Sequence, residues 1–174
     1  NNFIYSVEIK MSLSKDLVFD LSKKKDGKGG SVEYDVESET YFFVTHKEEG
    51  KKIFLELEEV KRIAKLLEKW APVYKDMVEK GCKQVESKVV NEIIFENNAK
   101  RVSFSLNIYQ QTPNMRLSAE WKDREFGTWH PCKGGNILND VDPVEFRQFM
   151  DDCAKESAAH SKEEATPIEA VSKV

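Results

Sequence analysis

The chain has little cysteine, histidine or proline: 3, 3 and 5 of its 174 residues. Cys82, Cys132 and Cys153 lie far apart, and an odd count without a CxxC pair excludes a disulfide framework and a cysteine zinc site. No Asn-x-Ser/Thr acceptor occurs. Together these absences predict a reducing, intracellular compartment. No apolar run reaches 18 residues, which excludes a helical membrane span. GxSxG, HExxH, P-loop and GxGxxG patterns are all missing, so no familiar catalytic signature is present. Neither charge sign dominates, with 27 Lys/Arg against 31 Asp/Glu. Residues 1–150 hold 24 and 25 of these, and the last 24 residues hold 3 and 6. The acidic balance therefore belongs to the C-terminal end. A near-neutral body leaves a polyanion partner open, while lacking the strongly basic signature of a duplex binder. At 33% charged and 40% hydrophobic, with mean hydropathy −0.58, the chain reads as a soluble globular protein. Its length suits one domain or two small fused repeats. It begins at Asn1 without a basic-then-apolar leader, as expected of a trimmed or processed chain.

Periodicity organises the rest. Apolar residues alternate at Phe3 to Met11, at Leu17, Phe19 and Leu21, and at Val32, Tyr34 and Val36. The basic, glycine-rich stretch from Lys23 to Gly30 reads as a turn, Tyr41–Val44 as a buried strand, and Lys47–Lys51 as a hairpin turn before Ile53, Leu55 and Leu57. The period then changes from 2 to 3.6. Val60, Ile63, Leu66, Leu67, Trp70, Tyr74 and Met77 mark one helix face over 58–80, with Pro72 as a kink or restart and Gly81 as its stop. A second round of strands follows at Val89–Phe95, Arg101–Tyr109 and Met115–Lys122, with a turn at Gln111–Asn114, and then at Phe126–His130 with a turn at Gly134–Gly135. Asp142-Pro143-Val144-Glu145 is a strong helix start, with Asp as N-cap and Pro at the first helical position. Phe146, Phe149, Met150 and Cys153 form its apolar stripe. From Glu156 onward, Ala, Ser, Lys and Glu predict a flexible acidic tail.

The expected fold is α+β: two pseudo-repeated antiparallel sheet units, each followed by a helix (ββββα-ββββα), packed as one domain. The predicted units are residues 1–82, 83–156 and a tail at 157–174. Either unit alone leaves a sheet face uncovered, so packing the two together satisfies both.

Candidate sites follow from the alternation. His130-Pro131-Cys132 brings a His near a Cys, but no third orienting group accompanies them. Asp151-Asp152 reads as a solvated helix end rather than a metal site. Glu33, Asp35, Glu37 and Glu39 place four acids on one strand face, either solvated or facing a cation or a basic partner. The face of the second unit differs in kind. Arg101, Ser103, Ser105, Asn107 and Tyr109 point one way, beside Arg116, Ser118, Glu120 and Lys122, with Arg124, Trp129 and Lys133 close by and Lys24, Lys25 and Lys28 in a flexible loop. Aromatic platforms for bases with cations for phosphates are what a single-strand binder needs. Tyr109 and Trp129 are the stacking candidates. Trp121 is a weaker one, because alternation places it with the core.

The order Lys100-Arg101-Val102-Ser103-Phe104-Ser105-Leu106, a turn, Met115-Arg116-Leu117-Ser118-Ala119-Glu120, a Gly-Gly turn, then Val144-Glu145-Phe146-Arg147 resembles one repeat of the PUR family. The doubled strands-then-helix layout is also similar to the Whirly proteins. The resemblance covers about residues 100–150. It implies ββββα repeats paired into one domain that binds single-stranded DNA or RNA and assembles further. PUR-type repeats often carry Arg-Gly-Arg after the hairpin turn, whereas here Arg116 stands alone, implying a reduced basic hairpin. The expected function is non-catalytic binding of single-stranded nucleic acid, with no cofactor or metal, no membrane, and a homodimer through the 58–80 helix as an option. The rival is a scaffold module holding a basic partner through the acidic strand and tail.

Overall fold

Alternation becomes sheet structure in both halves of the chain. The computed structural model describes residues 17–22, 29–45, 51–82 and 86–172. The alternating run Phe3–Met11, the basic loop with Lys24, Lys25 and Lys28, and the turn after Lys47 lie outside the described residues. Strands β1 (Val18–Asp20), β2 (Gly30–Asp35), β3 (Thr40–Thr45) and β4 (Lys51–Leu55) form an antiparallel sheet in chain order. Helix α1 (Leu57–Lys80) follows. Strands β5 (Glu86–Glu96), β6 (Lys100–Tyr109), β7 (Thr112–Lys122) and β8 (Trp129–Pro131) form a second antiparallel sheet, with β9 (Asn136–Ile137) paired to β7. Helix α2 (Pro143–Ser172) closes the order. The architecture is thus α+β, with strands then a helix, twice.

Within the first sheet, register places Phe19, Val32, Phe43 and Ile53 in one cross-strand row. Tyr34, Tyr41 and Leu55 make the next row on the same face. Val102, Phe104, Leu106, Met115, Leu117 and Ala119 do the same in the second sheet and are all buried. Each helix covers mainly the sheet of the other half. Helix α1 packs on β5, β6 and β7 and also meets β3. Arg62 Nη1 donates to the Ile94 carbonyl at 2.9 Å, tying α1 to the second sheet. Helix α2 reaches back to the first sheet. Phe146 and Phe149 lie 5.6 and 5.5 Å from the Phe19 ring, Phe149 lies 6.4 Å from Tyr41, and Ser157 hydrogen-bonds Tyr34. One buried cluster therefore draws on both halves and both helices. The boundary at 82/83 separates two sheets but not two cores.

Several local expectations hold and others shift. Asp142 Oδ1 accepts from the Val144 N–H at 2.8 Å, which caps α2 as its sequence anticipates. Phe146, Phe149, Met150 and Cys153 are all buried. Gly81 ends α1 with φ 77°, while Pro72 sits inside a continuous helix. The backbone of α2 runs on to Ser172, through the stretch where composition predicts a tail from 157. Ser157, at the start of that stretch, hydrogen-bonds Tyr34 of β2. The turn between β6 and β7 is Gln110–Gln111, one residue earlier than expected, and Pro113 is a strand residue opposite Ile108. Beyond Asp35 the backbone turns, so Glu37 and Glu39 leave the strand and the four acids do not share one face. Asp35 itself accepts from the Glu37 N–H and the Ser38 hydroxyl. No helix among the described residues is long and apolar enough to cross a membrane.

The two sheets are pinned where β3 meets β9. Asn136 Nδ2 donates to the Val44 carbonyl at 3.0 Å, and Thr45 Oγ1 donates to the Gly135 carbonyl at 3.5 Å. Gly30 passes so close that a Cβ would stand 2.7 Å from Asn136 Nδ2 and 2.8 Å from the Val44 oxygen.

Cys153 lies fully buried in the core. Burial pushes its thiol up to about 12 from an ordinary 9.0, partly opposed by its hydrogen bond with Tyr41. Burial raises the Tyr41 hydroxyl as well. The folded state therefore holds a proton that the unfolded chain releases. Stability contributed by the neutral thiol is complete below about pH 9 and is lost as pH rises toward about 12. Urea titrations from pH 8 to 11 are expected to show a midpoint that falls with pH, and Cys153→Ala to flatten part of that fall. A pH-independent midpoint would contradict the assignment.

Candidate nucleic-acid interface

Strand β6 is the central strand of β5-β6-β7, and its ladder with β7 sets the surface. Arg101 faces Glu120, Ser103 faces Ser118, Ser105 faces Arg116 and Asn107 faces Asn114. The odd positions of β6 thus share the outer face with the polar positions of β7, as alternation predicts. Availability along that face is uneven. Ser103 and Ser105 are only 5% and 6% exposed, so neither is open to a ligand as the sequence pattern suggests. A short side chain on a middle strand stands lower than its neighbours: Ile93, directly opposite Ser103 on β5, is 48% exposed. Ser105 Oγ donates to the Arg116 carbonyl and accepts from Asn107 Nδ2 at 2.9 Å. The middle of the strip is an internal hydrogen-bonded row.

The ends remain. At one end Arg101, Lys122 and Trp129 converge. The Arg101 guanidinium sits 4.5 Å from the Trp129 ring centre and the Lys122 ammonium 5.7 Å from it. Arg101 Nε and Nη2 also donate to Glu120 Oε1 at 3.1 and 3.0 Å, and Glu96 lies 3.8 Å from Nη1. Two carboxylates thus compete with any phosphate for this guanidinium, a cost that alternation alone does not reveal. Lys122 has no carboxylate partner among the described residues. Arg124 is exposed in the loop joining β7 to β8, between Asp123 and Glu125. At the other end Tyr109 is 60% exposed, about 26 Å along the strand from Arg101. Arg116 is exposed between these ends, and its Nη2 donates to the Gly134 carbonyl at 3.2 Å. Lys133 is exposed but lies on the far side of that Gly-Gly turn, beside β4. The structure therefore gathers Arg101, Lys122 and Trp129, separates Tyr109 from them, and assigns Lys133 to another cleft.

One aromatic pair on the first sheet escapes the sequence reading. Phe42 and Phe54 face each other on the outer side of the first sheet at 4.9 Å. Phe42 and Phe43 are adjacent on one strand, so one of them had to point outward. Trp121 stacks on His130 at 4.7 Å and 29° on the opposite side of β7 from Arg116, and is 48% exposed. It leaves the core because it lies at the end of its strand, past Ala119.

Among the described residues no cluster of His, Cys, Asp and Glu is suited to a metal ion. Cys132 is half-buried beside Lys100 and stands two residues from His130 on the same strand side. The apolar stripe of α1 (Val60, Ile63, Ala64, Leu67, Ala71) is buried inside the chain, so a dimer through α1 would have to use its other faces. Searches of family models, curated proteins and solved structures return no match to this chain.

The β6–β7 hairpin that carries this face turns on two glutamines in the left-handed region, at φ 48° and 66°. A two-residue hairpin turn of this hand favours Asn-Gly. Replacing Gln110-Gln111 by Asn-Gly is expected to raise stability by about 1 kcal/mol, read as a shift in the urea midpoint. A loss of stability would mean that the turn has another conformation.

Proposed function

We propose that the chain binds single-stranded DNA or RNA without catalysis, through the outer face of the second sheet. The observation that carries this reading is the Trp129 ring flanked by Arg101 and Lys122, with Arg124 in the adjoining loop. An indole beside cations supplies both parts of single-strand recognition: a stacking surface for a base, and charge for the phosphates on either side of it. Succession of strands and a helix, twice over, supports kinship with the PUR and Whirly groups, and the two halves are then diverged repeats. The carboxylates of Glu120 and Glu96 against Arg101 argue for modest affinity, because phosphate must displace them. The rival scaffold reading is weakened because Asp35 is engaged in its own turn and Glu37 and Glu39 are off the strand.

Titration of a fluorescent single-stranded 16-mer at two salt concentrations tests the proposal. Binding that weakens steeply with salt is expected, with a log–log slope of about −0.7 per phosphate neutralised. Trp129→Ala should lose about 1–3 kcal/mol. Lys122→Ala should make the slope shallower by about one phosphate. No binding by the intact protein at low salt would end this reading.

A further inference from the structure

A second row of rings and cations crosses the seam between the two sheets. Trp121 and His130 stack at one end. Lys100 stands opposite Trp121 in the β6–β7 register. Its ammonium reaches the other sheet, 5.8 Å from the Phe54 ring. Phe54 meets Phe42 edge to face, and Lys52 lies 5.7 Å from the Phe42 ring on the same outer face. Phe54 is 54% exposed. Large aromatics left in water need a reason, and these are held beside ammonium groups along a continuous path.

Beneath this row is a cleft of about 300 Å³ between β4 and the turn after β8. Lys51, Lys52, Lys100 and Lys133 line it. Among the described residues Lys52, Lys100 and Lys133 have no carboxylate within ion-pair distance. Lys100 is half-buried, and desolvation lowers its pKa, so an anion beside it would relieve an uncompensated cost. The other side of Phe54 has the opposite sign: Glu56 and Glu59 line the hollow shared with Phe42, Phe54 and Phe95, and Glu33 faces Phe42 across the ladder. The ring pair thus divides a cationic margin from an acidic one. An occupant with an anionic backbone and flat, uncharged side groups matches that division.

We infer that the seam is a second binding track for the same single strand, with phosphates held in the lysine cleft and bases resting on Phe54 and Trp121. This rests on the nucleic-acid reading proposed above, but uses none of the residues that carry it. The two faces lie on opposite sides of the second sheet, so a strand long enough to occupy both must pass around its β8 edge.

The experiment uses the intact protein and a labelled (dT)16 at low and moderate salt. Phe54→Ala, Lys100→Ala and the double variant Lys52→Glu with Lys133→Glu are compared with Trp129→Ala. Lys52, Lys133 and Phe54 are exposed, so these variants are expected to fold, and circular dichroism checks Lys100→Ala. The double variant should weaken binding by about tenfold or more, with a slope shallower by about 1.4, two phosphates' worth. A 5-bromouracil oligonucleotide should crosslink to Phe54 or Trp121. Wild-type binding and salt slope in the seam variants, with binding weakened in Trp129→Ala, would overturn the seam track and leave the first interface standing. Loss in the seam variants alone would support the track and remove the Trp129 face. No binding by the wild-type protein at low salt would overturn both.

Discussion

Exchange of helices between the halves is the constraint on which the rest depends. A four- or five-stranded sheet with one apolar face has to bury it. Here the first sheet's Phe19, Tyr34 and Tyr41 are covered by Phe146, Phe149 and Ser157 of the last helix. The second sheet's inner face is covered by α1, which precedes it in the chain. Neither half completes its own core. The seam bonds from Asn136 to Val44 and from Thr45 to Gly135 then fix the relative position of the two sheets. That position creates the lysine cleft and brings Lys100 of one sheet against Phe54 of the other.

With both inner faces consumed by packing, the outer faces and the seam are what remain for recognition. They differ in electrostatics. On the second sheet, Glu96 and Glu120 offset Arg101, and the central serines close into a hydrogen-bonded row. At the seam Lys52, Lys100 and Lys133 are not offset by described carboxylates. Neighbouring charge thus matters more than the number of basic residues on a strand. A chain with net charge −4 can present a locally cationic cleft because its acids lie elsewhere.

Much of the architecture is legible in the residues. Alternation over 101–109 and 115–122 fixes which side chains share a face, and the ladder agrees residue for residue. Asp142-Pro143 marks the start of α2, and Gly81 marks the end of α1. These signals are local, so a sequence carries them. Availability is not local. Ser103 looks outward by pattern yet is enclosed, because its short side chain lies beside the larger Ile93 of β5. Arg101 looks free by pattern yet meets Glu120, which is 19 positions away. Lys100 and Phe54 are brought together only by the docking of two sheets. The Phe42-Phe43 pair held a usable signal, since strand geometry forces one ring outward. Its lysine neighbours could not be assigned without the fold.

Native-state hydrogen exchange tests the shared core most directly. If each sheet depends on the other half's helix, amides of β2, β3, β6, β7 and α1 open together, with one free energy equal to that of global unfolding and one common dependence on urea. Exchange of β2 and β3 at a clearly lower free energy, while β6, β7 and α1 stay protected, would mean two separable cores and would contradict the account.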